Sequence, residues 1–351
     1  MASFRLRRLA AGRLEAALPN FLQQLRRAAC GSGGPREALL CYHEKPQGMR
    51  LGRYMVPPSH FQYDVVDAQK PTLIAVQDAR QMRPPADIGV NGFELRPWPS
   101  ECQDFRDDRK VLQCYYAEMR SLLRDLLGAD QVLVFDHTVR SGGDRTGAAQ
   151  GADGDAEPVN RVHCDYTESS AQVQLERLGE QGVFSRARGR LLSSDEFQQL
   201  AQHRFMLVNV WRSIAAPGVP VERWPLAVCD ASTVPSADHL YYEVIHPIYT
   251  DHEGENLALR SNAAHRWYYF PKMTRDECLV FKTYDSRNDE AQFAFHSAFE
   301  DPHTDPDAPA RQSIEVRALA LFGTGLPEDE VLQRKVRVKG RRIVGKESPH
   351  E

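Results

Sequence analysis

The chain has 351 residues, 44 basic against 48 acidic side chains, a formal net charge of -4, and is 42% hydrophobic and 26% charged. That is the composition of a globular protein with a sizeable core. It excludes a disordered or fibrous chain, and the missing basic excess argues against a nucleic-acid partner. Seven cysteines, at 30, 41, 102, 114, 164, 229 and 278, form no CxxC and no even framework, so they read as free thiols in a reducing compartment and the chain as cytoplasmic. No apolar run approaches the length of a membrane span, so a membrane partner is not expected.

The beginning, MASFRLRRLAAGRLEAALPNFLQQLRRAACG, is Arg-rich and poor in acids. It reads as an amphipathic helix with Leu14, Leu18, Phe21, Leu22 and Leu25 on one stripe, with a mitochondrial transit peptide as the alternative. Residues 1–40 are therefore set apart as an N-terminal helical segment. ALLCYHEKPQGMRLGRYMVPPS reads as irregular, TLIAVQDAR as a strand, and GFELRPWPSE as extended. From Asp104 to Gly128, apolar Val111, Leu112, Tyr115, Met119, Leu122 and Leu126 recur at helical spacing, with Gly128 as the stop. QVLVFDHTVR is a buried strand. Residues 141–157, rich in Gly and Ala, read as a flexible insertion within a single domain over 41–325, since strands lie on both sides.

Gln172 to Leu200 looks helical, with SSDEFQQL offering a Ser cap. Short strands then dominate: RFMLVNVWRSI, PLAVCD, HLYYEVIH, RWYYFP, CLVFKTYDS, AQFAFHSAF and SIEVRALALF. Their spacing by turn residues predicts a mainly β protein with flanking helices, an antiparallel sandwich or barrel. Residues 326–351 form a basic tail.

Chemistry concentrates in three places. In NRVHCDYTESSA, a strand puts His163 and Asp165 on one face and Cys164 on the other, so both could meet one metal ion. His-x-Asp alone is weak evidence, but a non-haem Fe(II) centre needs two histidines and one carboxylate, with open positions opposite. His296, in AQFAFHSAF, is the candidate second histidine. Alternate positions Ala294 and Ala298 are small and leave room for an ion; the competing reading is an edge-strand histidine. Fifteen residues after His296 (311 − 296 = 15) comes Arg311, with Ser313 on the same strand face. A guanidinium beside a hydroxyl suits the distal carboxylate of 2-oxoglutarate. Arg317, on the same alternation, is a rival anchor.

The combination of VHCDYT, NVWRSI with PVERWPLAVCD, RWYYFPKMTRDECLVFKTYDS, FAFHSAFEDP and RQSIEVRAL resembles the hydroxylase/desaturase family grouped with the cephem methoxylase component CmcJ, the aspergillic acid hydroxylase and the fungal gibberellin desaturase. VQDAR, GFEL and VFDHTVR are similar to that family's N-terminal blocks, so the resemblance runs from about Leu73 to Phe322. It implies a double-stranded β-helix (jelly-roll, cupin-like) core and an Fe(II)/2-oxoglutarate-dependent oxygenase that consumes O2 and uses ascorbate as reductant in vitro. By position it implies His163, Asp165 and His296 as metal ligands and Arg311 with Ser313 as the cosubstrate motif. The sequence separation of 131 from Asp165 to His296 (296 − 165 = 131) exceeds that in compact relatives, which extra strands and a substrate lid would explain.

Other residues carry two readings each. Trp211 and Arg212 either hold a substrate carboxylate or are a structural tryptophan with a snorkelling arginine. Tyr166 and Thr167 follow the metal motif and could line the pocket. His137 and Arg140 in DHTVR either reach the site or bond structurally. Arg212 points to a small-molecule substrate that is a carboxylate or an amino-acid derivative. The outcome is hydroxylation, desaturation or oxidative ring formation; a catalytically retired β-helix binding protein and a metal-dependent hydrolase are the alternatives.

Overall fold

The computed structural model describes residues 35–44, 53–55, 69–142, 157–180, 198, 201–245 and 253–324. The expected N-terminal amphipathic helix, the loop 143–156, most of SSDEFQQL and the basic tail lie outside these residues.

Fourteen strands run through the described residues. The larger sheet holds nine: β1 (Arg36–His43), β2 (Arg53–Met55), β3 (Gln69–Asp78), β6 (His163–Cys164), β8 (Leu226–Cys229), β9 (His239–Ile245), β10 (Glu253–Leu259), β11 (Trp267–Tyr269) and β13 (His296–Ala298), in the order β1-β3-β11-β8-β13-β6-β10-β9-β2. The smaller sheet holds β4 (Phe93–Pro97), β5 (Gln131–Gly142), β7 (Phe205–Ser213), β12 (Glu277–Asp285) and β14 (Arg311–Leu321), in the order β4-β12-β7-β14-β5. Pairing is antiparallel except for β3 with β11 and β2 with β9. The two facing sheets make the jelly roll expected from the sequence.

Two corrections concern strands. Ala38–His43, read as irregular, is most of β1, which pairs with β3 along its full length and straddles the expected boundary at residue 41. Its alternate side chains Ala38, Leu40 and Tyr42 are fully buried, a period-2 signal that the nearby prolines obscured. β10, sequence EGENLAL, was not anticipated because its first half is polar. It is nevertheless the strand that pairs with β6, Leu257 opposite Cys164 and Ala258 opposite His163.

Alternation gives the smaller sheet two unlike faces. On β14, Ile314, Val316, Ala318 and Ala320 face outward and pack with Val208 and Val210 of β7 against helix α1 (Tyr116–Leu127) through Met119, Leu122 and Leu123. Gly128 ends α1 as expected, at φ +65 with its N–H on the Arg124 carbonyl at 2.9 Å; only glycine adopts that conformation without a steric cost. The inward face changes character along its length. Phe205 and Leu207 of β7, with Leu319 and Leu321 of β14, are apolar and join Cys164, Phe295 and Tyr284 in a dry floor. Further along, Asn209 lies opposite Arg317, Trp211 opposite Glu315 and Ser213 opposite Ser313. On β7 and β14 the polar residues therefore sit at one end, beyond the apolar floor, while Leu279 and Phe281 of neighbouring β12 keep the interior apolar beside them.

A bulge in β5 sharpens this division. The β14 partners skip from Asp136 opposite Arg317 to Val134 opposite Ala318. The extra residue resets the phase and puts Asp136 inside against Arg317, while His137 faces α1 and meets Tyr116 Oη at 2.9 Å.

At the end of β12, buried Asp285 accepts from Arg204 Nε and Nη2 (3.1 and 2.7 Å) and from buried Lys282 Nζ (2.8 Å). Burial pushes its carboxyl up, but the two cations outweigh that and hold it below the ordinary value. A depressed carboxyl contributes stability that is present above the unfolded-state pKa of about 4 and lost as pH falls through the folded value. Wild type is therefore expected to weaken below about pH 4. Asp285→Asn, which leaves Lys282 without this partner, is expected to lose about 3 kcal/mol at neutral pH; an unchanged urea midpoint would contradict the pairing.

Candidate active site

His163 and His296 stand directly opposite each other on β6 and β13, with ring centroids 4.3 Å apart. Each ring turns its Nδ1 to a carbonyl of its own chain segment: His163 to Arg161 at 2.8 Å, His296 to Ala294 at 3.1 Å. A carbonyl only accepts, so both Nδ1 atoms are donors and both Nε2 lone pairs are left free. Asp165 lies just beyond β6, its Oδ1 3.6 Å from His163 Nε2. One ligand atom from each of His163, Asp165 and His296 falls within 4.8 Å of the others. Cys164 points the opposite way, into the apolar floor, with its Sγ on the Thr283 carbonyl at 3.2 Å.

Electrostatics prepare two of these groups, His163 and Asp165. Burial, then the neighbouring His296, hold His163 well below the usual imidazole range, so it is neutral. Burial would raise the Asp165 carboxyl, but Arg317, the two histidines and the Asn209 amide outweigh it and keep the group far below the usual carboxylate range. Two imidazole nitrogens and a carboxylate brought together in this way are the donor set of a mononuclear non-haem iron centre.

Arg311 and Ser313 project from β14 onto the same inward face. Arg311 is 4% exposed; Nη1 donates to the Trp224 carbonyl at 2.7 Å, and the guanidinium carbon lies 5.6 Å from the Trp211 ring centre. Trp224 holds that carbonyl at φ +50, a costly conformation for a bulky residue. Burial, then the like charge of Arg140, pull Arg311 down to about 9. Arg311 Nε and Ser313 Oγ are buried without a hydrogen-bond partner. Such orphaned donors beside a buried cation fit an anionic ligand with two acceptor oxygens, as the distal carboxylate of 2-oxoglutarate would be.

Two expectations are corrected. Arg317 is not a rival cosubstrate anchor: Nε donates to Asp165, Nη1 to Asp136 and Thr138, and Nη2 to Glu315, so its donors are already engaged by carboxylates of the chain. Arg212 does not face the interior between the sheets. It lies on the outward face of β7, fully buried, with Nε and Nη2 on Cys278 Sγ at 3.3 and 2.8 Å, Nη2 also on the Trp98 carbonyl, and Tyr115 5.2 Å away. One step of alternation separates it from Trp211, which does face inward. Arg212→Ala is accordingly expected to lower stability by on the order of 3 kcal/mol while leaving half-saturation by 2-oxoglutarate unchanged; a raised half-saturation with intact stability would reverse this placement.

Tyr166 packs against the apolar floor, its phenol raised by burial against the pull of Arg317. Thr167 instead caps helix α2 (Glu168–Glu180): its Oγ1 accepts from Ser170 N at 3.1 Å and Ser170 Oγ accepts from Thr167 N at 2.9 Å, a reciprocal cap. His137 is structural, whereas Arg140 lies opposite Ser313 and donates to the Glu157 carbonyl at 2.9 Å. Asn209, Asp136 and Glu315 were not singled out from the sequence. The available signal was a polar residue in the inward phase of an otherwise apolar strand, as in FMLVNVWRS.

The family described as oxidoreductase/YMDC permease-like domain matches residues 40–321. Among curated relatives, the chain is 30% identical over 267 residues to the hydroxylase/desaturase efuI of Hormonema carpetanum, covering 71% of this chain and 83% of that one. It is 29% identical over 281 residues to the Fe(II)/2-oxoglutarate-dependent dioxygenase nvfI of Aspergillus novofumigatus, covering 77% and 90%. A solved structure of the iron and alpha-ketoglutarate-dependent endoperoxidase NvfI superposes with a TM-score of 0.66 at 26% identity, over 83% of this chain and 99% of that one. The fold and these similarities define an iron- and 2-oxoglutarate-dependent oxygenase with a jelly-roll core. The chain belongs to the hydroxylase/desaturase family of these enzymes.

Proposed function

We propose that His163, Asp165 and His296 hold the iron and that Arg311 and Ser313 receive the distal carboxylate of 2-oxoglutarate, so that the chain oxidises an unactivated C–H bond of a small molecule of secondary metabolism. The observation that carries this reading is the convergence of three ligand atoms within 4.8 Å, on the inward face that also bears the orphaned Arg311 Nε and Ser313 Oγ. A bound iron would supply the activation of O2, the oxidant, with 2-oxoglutarate consumed as the co-reductant and released as succinate and carbon dioxide.

The chain's own residues do the rest. His163 and His296 offer Nε2 because their Nδ1 protons are committed to carbonyls. Arg311, stacked on Trp211, fixes the far end of the cosubstrate and thereby its orientation. The floor of Phe205, Leu207, Leu319 and Leu321 excludes water beneath the site. With Arg212 turned away, the cation we assign to a carboxylate or amino-acid-derived substrate is Arg140, half-buried opposite Ser313 on the inward side of β5. Whether the product is hydroxylated, desaturated or ring-closed follows from the placement of the target C–H bond.

The test is succinate formation from 2-oxoglutarate by purified protein with Fe(II), ascorbate and air, without added substrate. Slow uncoupled turnover that requires both Fe(II) and His163 supports the reading. If the protein binds neither the metal nor 2-oxoglutarate, the reading fails.

A further inference from the structure

Asp165 has two carboxylate oxygens, and they are treated differently. Oδ1 faces His163 Nε2 at 3.6 Å. Oδ2 accepts from Asn209 Nδ2 at 2.9 Å and from Arg317 Nε at 3.2 Å. Asn209 and Arg317 are direct partners in the register of β7 and β14, so both donors reach Asp165 from adjacent strands of the sheet opposite β6. Neither donor is loosely held. Asn209 is fully buried. The Arg317 guanidinium is fixed on its other edges by Asp136 and Thr138 at 3.2 Å each and by Glu315 at 2.7 Å. The β5 bulge that brings Asp136 inside is what supplies one of those fixing contacts.

We propose that Asn209 and Arg317 are positioning residues that hold Asp165 as a one-oxygen metal ligand, by occupying Oδ2 and leaving Oδ1 alone aimed at the ion. The inference rests on the assignment of His163, Asp165 and His296 as the iron ligands. Its physical reason is coordination number. A free carboxylate can bind a metal through both oxygens, which would fill a position that a two-histidine, one-carboxylate centre must keep open for cosubstrate and oxygen. Two hydrogen bonds on the outer oxygen, one from a guanidinium, make that rotation costly, and they also fix the plane of the carboxylate against the two imidazoles. Arg317 thus serves the metal carboxylate, while Arg311, six residues earlier on the same strand face, serves the cosubstrate.

Titration of the metal-free protein with Co(II) tests this without turnover, because the visible absorption of Co(II) reports its coordination number and geometry. Asn209→Leu removes one donor at similar volume; Arg317→Met removes the other and Arg317→Lys keeps its charge. Melting and near-ultraviolet circular dichroism establish that each variant is folded. Asn209→Leu is expected to weaken Co(II) binding by roughly 10- to 100-fold and to change the visible spectrum. Arg317→Met should move both in the same direction, with Arg317→Lys in between. Folded Asn209→Leu with a wild-type Co(II) affinity and spectrum overturns the proposal while leaving the ligand assignment intact, provided that His163→Ala abolishes the signal. If His163→Ala leaves the wild-type Co(II) spectrum unchanged, the ligand assignment fails, and the proposal with it.

Discussion

His163→Ala is expected to abolish 2-oxoglutarate turnover, leaving less than about one hundredth of the wild-type succinate rate. Loss of a partner that merely supports a metal ligand typically costs about 10- to 100-fold in affinity or activity, and removing a ligand itself should cost more. The change is local. His163 is tied to β10 and β13 through backbone pairing, Ala258 and His296 being its register partners, so alanine keeps the ladder. The apolar floor below it is formed by other side chains. A variant with a wild-type melting temperature and no succinate meets the expectation; one that keeps a tenth of the wild-type rate at limiting Fe(II) places the metal elsewhere.

Arg311→Ala is expected to raise the concentration of 2-oxoglutarate needed for half-saturation by roughly 10- to 150-fold, the equivalent of a charge-assisted hydrogen-bond loss of about 1.5–3 kcal/mol. Turnover at saturating 2-oxoglutarate should largely recover, since the residue binds the end of the cosubstrate remote from the metal ligands. Arg311→Lys should restore only part of the affinity, because a lysine keeps the charge but lacks the planar fork and the stack on Trp211. Trp211 makes binding visible as well: its fluorescence should respond to 2-oxoglutarate in wild type and require much higher concentrations in Arg311→Ala. An unchanged half-saturation would move the anchor to Arg140, the half-buried guanidinium opposite Ser313 on this face.

The difference between Arg311 and Arg317 shows how far the sequence reaches. Both lie in one alternation phase of RQSIEVRAL, so the sequence puts both on the inward face, and both are there. Only the neighbours tell them apart. Asp136 and Asp165 surround Arg317, whereas Arg311 meets a carbonyl, an indole face and another arginine. Those neighbours come from β5, β7, the segment after β6 and the segment before β8, far away in the chain. Arg212 is separated from Trp211 by a smaller step: alternation within NVWRS turns Trp211 inward and Arg212 outward.

What the sequence determined by itself is therefore the local and periodic part. Strand alternation and the helical stripe ending at Gly128 were sufficient for a mainly β sandwich or barrel, and the family resemblance carried by the combined blocks around His163, His296 and Arg311 for the jelly-roll class and an oxygenase of this family. These signals depend on near neighbours in the chain, whose side-chain directions follow from backbone geometry. Tertiary structure decided everything that depends on charge meeting charge across strands. It decided that the β5 bulge admits Asp136, that Asn209 and Arg317 close on one oxygen of Asp165, and that Arg212 is sealed against Cys278 and Tyr115. A buried polar group takes its role from its partner, and in a sheet protein that partner is brought in by strand register, which no stretch of sequence specifies alone.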